Sequence, residues 1–215
     1  MAMVARDIIT ISRQVGSGGD EIALNVSKIL GYAYFDKSLM VSVAKSLGMS
    51  EEDIVDFSED AYRVKGFVDR ILRRKRPVAT SLILKDNEPI RKALDEQEYL
   101  SVIQTVINSL ARRGKTVIVG RGGQAILKDK VSVLNVRIVA PIDVRVERIM
   151  KGGGLSQEDA LKLIKDNDKA AAEYLRRFYN VDWGDPMIYD MVLNTWKMDL
   201  STAARMIAGV ASQAW

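Results

Sequence analysis

The sequence predicts an α/β protein, an open parallel sheet with helices on both faces. Short runs rich in β-branched residues alternate with longer stretches of helical periodicity from end to end. A glycine-rich turn, "VGSGGD", joins the first such run to the first helical pattern, and no internal repeat, low-complexity tract or interdomain linker interrupts the order. A chain of 215 residues can bury a substantial core as one domain.

Taken in order, "DIITIS" (Asp7 to Ser12) has the composition of a buried strand, and Ile22, Val26, Ile29 and Leu30 mark a helix from about Asp20 that ends at Gly31. "YAYF" (Tyr32 to Phe35) is a second short strand. From Ser38 to about Arg113 the pattern is mainly helical, broken at "LGMSEED", where Ser50 is suited to cap a helix with acids in its first turn. Leu100, Ile103, Ile107 and Leu110, widened by Tyr99, Val102 and Val106, form the stripe of a core helix. "TVIVG" (Thr116 to Gly120), "VLNVRIVA" (Val133 to Ala140) and "MVLN" (Met191 to Asn194) read as parallel strands covered on both faces. Asp199 to Ala211 is helical again.

Composition narrows the chemistry. Hydrophobic residues make up 47% and charged residues 28% of the chain, and the mean hydropathy of −0.04 is that of an ordinary globular protein. No apolar run approaches the roughly 20 residues that cross a bilayer, and "MAMVARDIITIS" lacks the apolar stretch of a signal peptide, so a cytoplasmic location is expected. There is no cysteine and no histidine. Disulfides and thiolate chemistry are excluded, while histidine triads and the common zinc sites are disfavoured. Phosphoryl transfer passes this filter, because it depends on positioning and positive charge. A net charge of +4 and an isoelectric point near 9.2 suit polyanionic ligands.

In a parallel sheet of this kind ligands bind at the carboxyl ends of the strands, where Gly16 to Gly19, Arg121 and the segment after Ala140 all fall. Gly16, Gly18 and Gly19 let backbone amides converge on a phosphate ahead of a helix N-terminus; a tight turn chosen for close packing is the alternative. The full phosphate-loop pattern adds a lysine and a serine or threonine, and both are missing. Asp20 and Glu21 occupy that neighbourhood, where a carboxylate can ligate magnesium directly or through water, and Arg13 is the nearest cation able to replace the lysine.

Five segments in order, "ITISRQVGSGGDEIA" with "YFDK", "VIVGRGGQAIL", "RIVAPIDVRVERIM", "GLSQEDALKLIKDNDKAAAEY" and "DWGDPMIYDMVLNT", give most of the chain a resemblance to the cytidylate-kinase-like proteins, a branch of the nucleoside monophosphate kinases. The resemblance implies a P-loop kinase-like three-layer fold: a five-stranded parallel sheet, a helical insertion that binds the monophosphate, and a lid. Residues 1–36 and 114–150 are then core, 37–113 the insertion, 151–182 the lid and 183–215 the last strand and helix. It implies ATP with Mg2+ as donor and a pyrimidine monophosphate as acceptor. By position, Gly16, Ser17, Gly18 and Gly19 resemble the phosphate loop and Arg148 the donor-side arginine. Asp36, Lys37 and Arg121 resemble the acceptor side, and Arg13 and Arg121 are the expected catalytic cations. No metal ligand is assigned.

The departures from authentic cytidylate kinases fall on chemistry: Gly19 stands at the lysine position, Gly122 at the Asp of a Gly-Arg-Asp element, and Ala171 at the arginine of the lid's Asp-x-x-Arg. Lys162, Lys165, Lys169 and Arg176 share one face of the lid helix, either closing over phosphates or lying exposed with Glu158 and Glu173 as partners. Asp168 falls on the apolar face, which calls for a lid arginine, magnesium or a solvated gap. Arg121 is suited to bidentate contact with the acceptor phosphate or to an ion pair with a nearby helix; Arg145, three residues from Arg148, is expected on the surface. "RILRRKRP" (Arg70 to Pro77) reads as a solvated helix end, and "DWGDP" (Asp182 to Pro186) as a turn anchored by Trp183.

The leading functional expectation is a nucleoside monophosphate kinase. A nucleotide sensor without turnover comes second, and a nucleic-acid binder using the Arg70 to Arg76 tract third. The partners expected are nucleotide substrates, with no membrane or nucleic acid, and with self-association into a homo-oligomer allowed.

Overall fold

The computed structural model describes residues 6–36, 38–40 and 96–213. Lys37, the Ser50 cap and the basic tract from Arg70 to Pro77 lie outside the described residues. The elements are β1 (Ile8–Arg13), α1 (Gly19–Leu30), β2 (Ala33–Phe35), α2 (Glu96–Arg113), β3 (Thr116–Val119), α3 (Gly123–Ile126), β4 (Val133–Val139), α4 (Ile142–Gly153), α5 (Gln157–Tyr179), a 3-10 turn (Pro186–Ile188), β5 (Met191–Asn194) and α6 (Leu200–Ser212).

The strands form one all-parallel sheet in the order β2-β3-β1-β4-β5. The α/β class and the five parallel strands implied by the resemblance are therefore present. After β1 the chain runs outward to β2; after β3 it crosses to β4 on the other side of β1. The directions of travel diverge between β1 and β3, which opens a crevice at their carboxyl ends.

Side-chain alternation divides the core. Ile9 and Ile11 of β1, with Val117, Val119, Leu134, Val136 and Ile138, face Ile22, Ala23 and Val26 of α1 and Ala203, Ala204, Ile207 and Ala211 of α6. The alanines of α6 let it lie close against α1. On the other face Ile8, Ile118 and Val133 meet Phe35, Met40, Leu127, and Ile103 and Ile107 of α2. Each fully buried isoleucine or valine contributes roughly 1.5–3 kcal/mol, so the sheet centre is its most firmly held part.

Two expectations about the strands are corrected. β5 is an edge strand rather than one covered on both faces: Val192 is 44% exposed, while Leu193 is buried against α6. β4 is buried, but its second face is polar. Thr10 Oγ1 donates to Asn135 Oδ1 at 2.7 Å, and the Arg137 guanidinium lies 4.3 Å from the Trp183 ring centroid while donating to Tyr189 Oη at 3.1 Å. Trp183 also donates from Nε1 to Ser12 Oγ at 2.7 Å, so the "DWGDP" turn is anchored by Trp183 as the sequence predicts. Trp183 packs there with Tyr174 and Leu175 of α5. No helix among the described residues is long and apolar enough to cross a membrane.

Candidate functional site

The turn after β1 is built so that its carbonyl groups point backwards. Val15 O accepts from Arg145 Nη1 at 3.3 Å, and Ser17 O accepts from Thr195 Oγ1 at 2.7 Å and Arg148 Nη1 at 3.1 Å. In a trans peptide the N–H opposes the C=O, so the amides of Gly16 and Gly18 are turned away from α4 and β5. The first amides of α1 lack helical partners by construction and carry the positive end of its dipole. The result is a concavity of backbone donors at the end of the central strand, the geometry that receives an anion.

Backbone conformation explains the residues. Gly18, the N-cap of α1, has φ 83°, and Gly16 has φ 79° with no room for a side chain, since an added Cβ would lie 2.8 Å from Arg145 O. Gln14 holds the entry to the loop: its N–H donates to Ile138 O at 3.0 Å, and its Oε1 accepts from Ala140 N at 3.1 Å.

Behind the loop stands an ion pair. Arg145 Nη1 lies 2.6 Å from Asp168 Oδ2, and Asp168 Oδ1 accepts from Val15 N at 3.3 Å. Arg145, expected on the surface, is instead buried at 6% exposure. The carboxylate on the apolar face of α5 is explained by this arginine of α4 and by a loop amide. Arg148 spends its donors on Ser17 O, Thr195 Oγ1 at 2.9 Å and Thr195 O at 2.7 Å, so it grips the loop from beneath.

Next to the loop, β1 and β3 run in register to Ile11 opposite Val119, and Gly120 N donates to Ile11 O at 3.0 Å. Gly120, Arg121 and Gly122 then follow one another at φ 66°, 60° and 68°. A left-handed arginine is costly by about 1–3 kcal/mol, a strain that clusters at functional positions. Arg121 is 2% exposed and follows the carboxyl end of β3. At Gly122 an added Cβ would stand 2.7 Å from Tyr179 Cε2, so the aspartate of the Gly-Arg-Asp element is replaced by an aromatic wall.

The remaining expected residues are dispersed. Asp36 caps the helical turn at 38–40, accepting from Leu39 N at 3.1 Å through Oδ1 and from Met40 N at 3.0 Å through its carbonyl. The neighbouring Tyr34 phenol is held above its usual range, first by desolvation and then by the Asp36 and Asp20 carboxylates, with Arg13 opposing. Lys165, Lys169 and Arg176 lie on the exposed side of α5, and Lys169 Nζ approaches Glu173 Oε1 at 3.8 Å. Ala171 is buried with Tyr174, Leu175 and Trp183. Sequence reasoning missed Thr195 and the inward role of Arg145. Position directly beyond a strand signals Thr195, and the three-residue step to Arg148, which puts both arginines on one side of α4, signals Arg145.

The sequence model of the cytidylate kinase-like family matches residues 8–197. The chain belongs to this family. Among relatives, it is 26% identical over 191 residues to a cytidylate kinase of Thermococcus sibiricus, covering 88% of this chain and 80% of that one. It is 24% identical over 204 residues to a cytidylate kinase of Methanocaldococcus jannaschii, covering 94% and 95%. In fold it resembles an uncharacterized protein from Eubacterium ventriosum, with TM-score 0.65 and 23% identity over 95% of this chain and 97% of that one. A shikimate kinase from Acinetobacter baumannii, in complex with shikimate, aligns with TM-score 0.50 and 13% identity over 96% and 92%. The family's P-loop kinase fold is thus present, and with it a nucleotide-binding, kinase-like function.

Proposed function

We propose that this protein is a nucleoside monophosphate kinase that transfers the γ-phosphoryl group of ATP to a pyrimidine monophosphate, with CMP first among candidates. The observation that carries the reading is the adjacency of the glycine loop and the left-handed Arg121 turn at neighbouring strand ends, joined by the Gly120-to-Ile11 hydrogen bond. One corner offers backbone amides to a donor phosphate, and the next offers a planar guanidinium to an acceptor phosphate. Such positioning and charge are what phosphoryl transfer requires of a protein. Cytidylate kinase activity in the named relatives supports the choice of acceptor.

In this reading Gly16, Ser17, Gly18 and Gly19 receive the donor phosphates, with Arg148 and the Arg145–Asp168 pair holding the loop in shape. Arg121 binds the acceptor phosphate, and Asp36 and Lys37 border the acceptor. Lys165, Lys169 and Arg176 reach the phosphates only on closure, for which Gly152 and Gly153 at the end of α4 and its C-cap Gly154 supply the hinge.

Magnesium that travels with ATP keeps most of its ligands as phosphate oxygens and waters, and asks one or two oxygens of the protein. Asp20, with a side chain 67% exposed beside the loop, fits that requirement. Bound there, the ion would neutralise charge on the phosphates.

The second reading, a nucleotide sensor, is favoured by two observations: Arg13 is paired with Asp20, and the Gly122 position is closed by Tyr179. Mixing the pure protein with magnesium ATP and a panel of nucleoside monophosphates separates the two. Formation of diphosphate with a pyrimidine monophosphate is expected; binding of ATP with no product from any acceptor would establish the sensor.

A further inference from the structure

The phosphate-loop pattern runs glycine, four residues, glycine, lysine, then serine or threonine. Laid on this chain through Gly18 and Gly19, it puts Arg13 at the leading glycine, Gly19 at the lysine and Asp20 at the hydroxyl position. The first and seventh positions have traded character, with the cation at the first and glycine at the seventh.

The structure supplies a physical link between them. A Cβ on Gly19 would stand 2.4 Å from Arg13 Cβ and 2.8 Å from Arg13 Cγ. The stem of Arg13 therefore fills the space into which a side chain at 19 would grow. Its Nε donates to Asp20 Oδ1 at 2.9 Å, which holds the guanidinium at the start of α1, and the arginine side chain is 17% exposed. Lysine and arginine at these two positions exclude each other sterically.

We propose that Arg13 and Gly19 form a reciprocal exchange. Arg13 delivers from the end of β1 the positive charge that a lysine would deliver from the first turn of α1, and its ligand is the β- and γ-phosphates of a nucleoside triphosphate. Gly19 is glycine because the arginine occupies its side-chain space. A guanidinium in this place is a planar fork able to engage two phosphate oxygens, where an ammonium is a point charge. Asp20 is the counter-ion that holds the fork across Gly19 before nucleotide arrives. This inference rests on the loop being the donor site and makes the lysine's absence a relocation of charge.

The exchange is tested by reversing it, with magnesium ATP binding read by calorimetry, so that turnover is not needed. Arg13→Gly should weaken binding by on the order of tenfold to a hundredfold, the scale of a charge-assisted contact. Arg13→Gly with Gly19→Lys should recover most of that loss. Arg13→Gly with Gly19→Ala, which relieves the same crowding without restoring charge, should stay weak. Gly19→Lys alone should lower Tm, because Arg13 still occupies the space. If Arg13→Gly fails to fold, Arg13→Met, which removes the charge but keeps the Cβ and Cγ over Gly19, replaces it as a single change and should show the same loss of ATP binding. ATP binding that is unchanged in Arg13→Gly, or a Gly19→Lys pair no tighter than the Gly19→Ala pair, would overturn the exchange while leaving the kinase reading intact. Arg13-dependent ATP binding with no diphosphate product would do the reverse.

Discussion

Arg145 Nη1 and Asp168 Oδ2 meet at 2.6 Å across the junction of α4 and α5, and the other carboxylate oxygen of Asp168 holds the Val15 amide of the loop. The long helix α5 is thereby tied to the glycine loop through one carboxylate.

Asp168→Ala should destabilise the protein by about 2–3 kcal/mol, below the upper range for a broken buried pair because Asp168 keeps some access to water. Nucleotide affinity should fall with it, as Val15 loses its acceptor. In a double-mutant cycle, Arg145→Met with Asp168→Leu should cost less than the two single changes summed, measured by urea unfolding. Strict additivity would show that the pair is not coupled.

Arg148→Lys should bind magnesium ATP about tenfold more weakly, because a single ammonium cannot serve Ser17 O, Thr195 Oγ1 and Thr195 O together. Tm should drop modestly. Calorimetric titration checks the first and thermal melting the second; an affinity equal to wild type would remove Arg148 from the loop's support.

Arg121→Gly and Arg121→Ala should both lose turnover by on the order of a thousandfold, the scale seen when a cation is removed from a transferring phosphoryl group. They should differ in stability. Glycine accepts φ 60° without strain and alanine does not, so the glycine variant should melt at the higher temperature.

Gly122→Asp should not restore an authentic cytidylate kinase site. The new side chain meets Tyr179 at 2.7 Å on a backbone at φ 68°, and the protein should lose stability by about 2 kcal/mol or more. Adding Tyr179→Ala should recover part of the loss, as measured by chemical denaturation.

Acid should unmask the cap of α6. Asp199 accepts from the hydroxyls of Ser201 and Thr202, each at 2.6 Å, and from Thr202 N at 2.8 Å, and these bonds hold its carboxyl well below the usual carboxylate range. A folded-state value lower than the unfolded one stabilises the fold above the unfolded value and loses that contribution as pH falls through the folded one. Asp199→Ala should lower Tm at pH 7, and the gap from wild type should narrow steadily below about pH 4, the ordinary carboxylate value. A gap independent of pH would separate the cap from its charge.

Local signals carried far in this chain. The succession of the five strands, the end of α1 at Gly31, the last helix from about Asp199 and the Trp183 turn were all legible, because each depends on neighbours within a few residues. β5 was misread because an edge strand differs from a central one only in what lies beside it. Arg145 was misread because the sign of a side chain's environment is set by elements far along the sequence, here Val15 and Asp168.

The sequence by itself determined the α/β class, the glycine corner after β1, the family and the missing lysine, since these reside in periodicity, residue type and spacing. Tertiary structure alone decided that Arg13 fills the space over Gly19, that Tyr179 fills the space over Gly122, and that Asp168 joins Arg145 to the loop. The physical reason is that excluded volume and charge pairing act between atoms brought together by folding, over separations along the chain that no local pattern records.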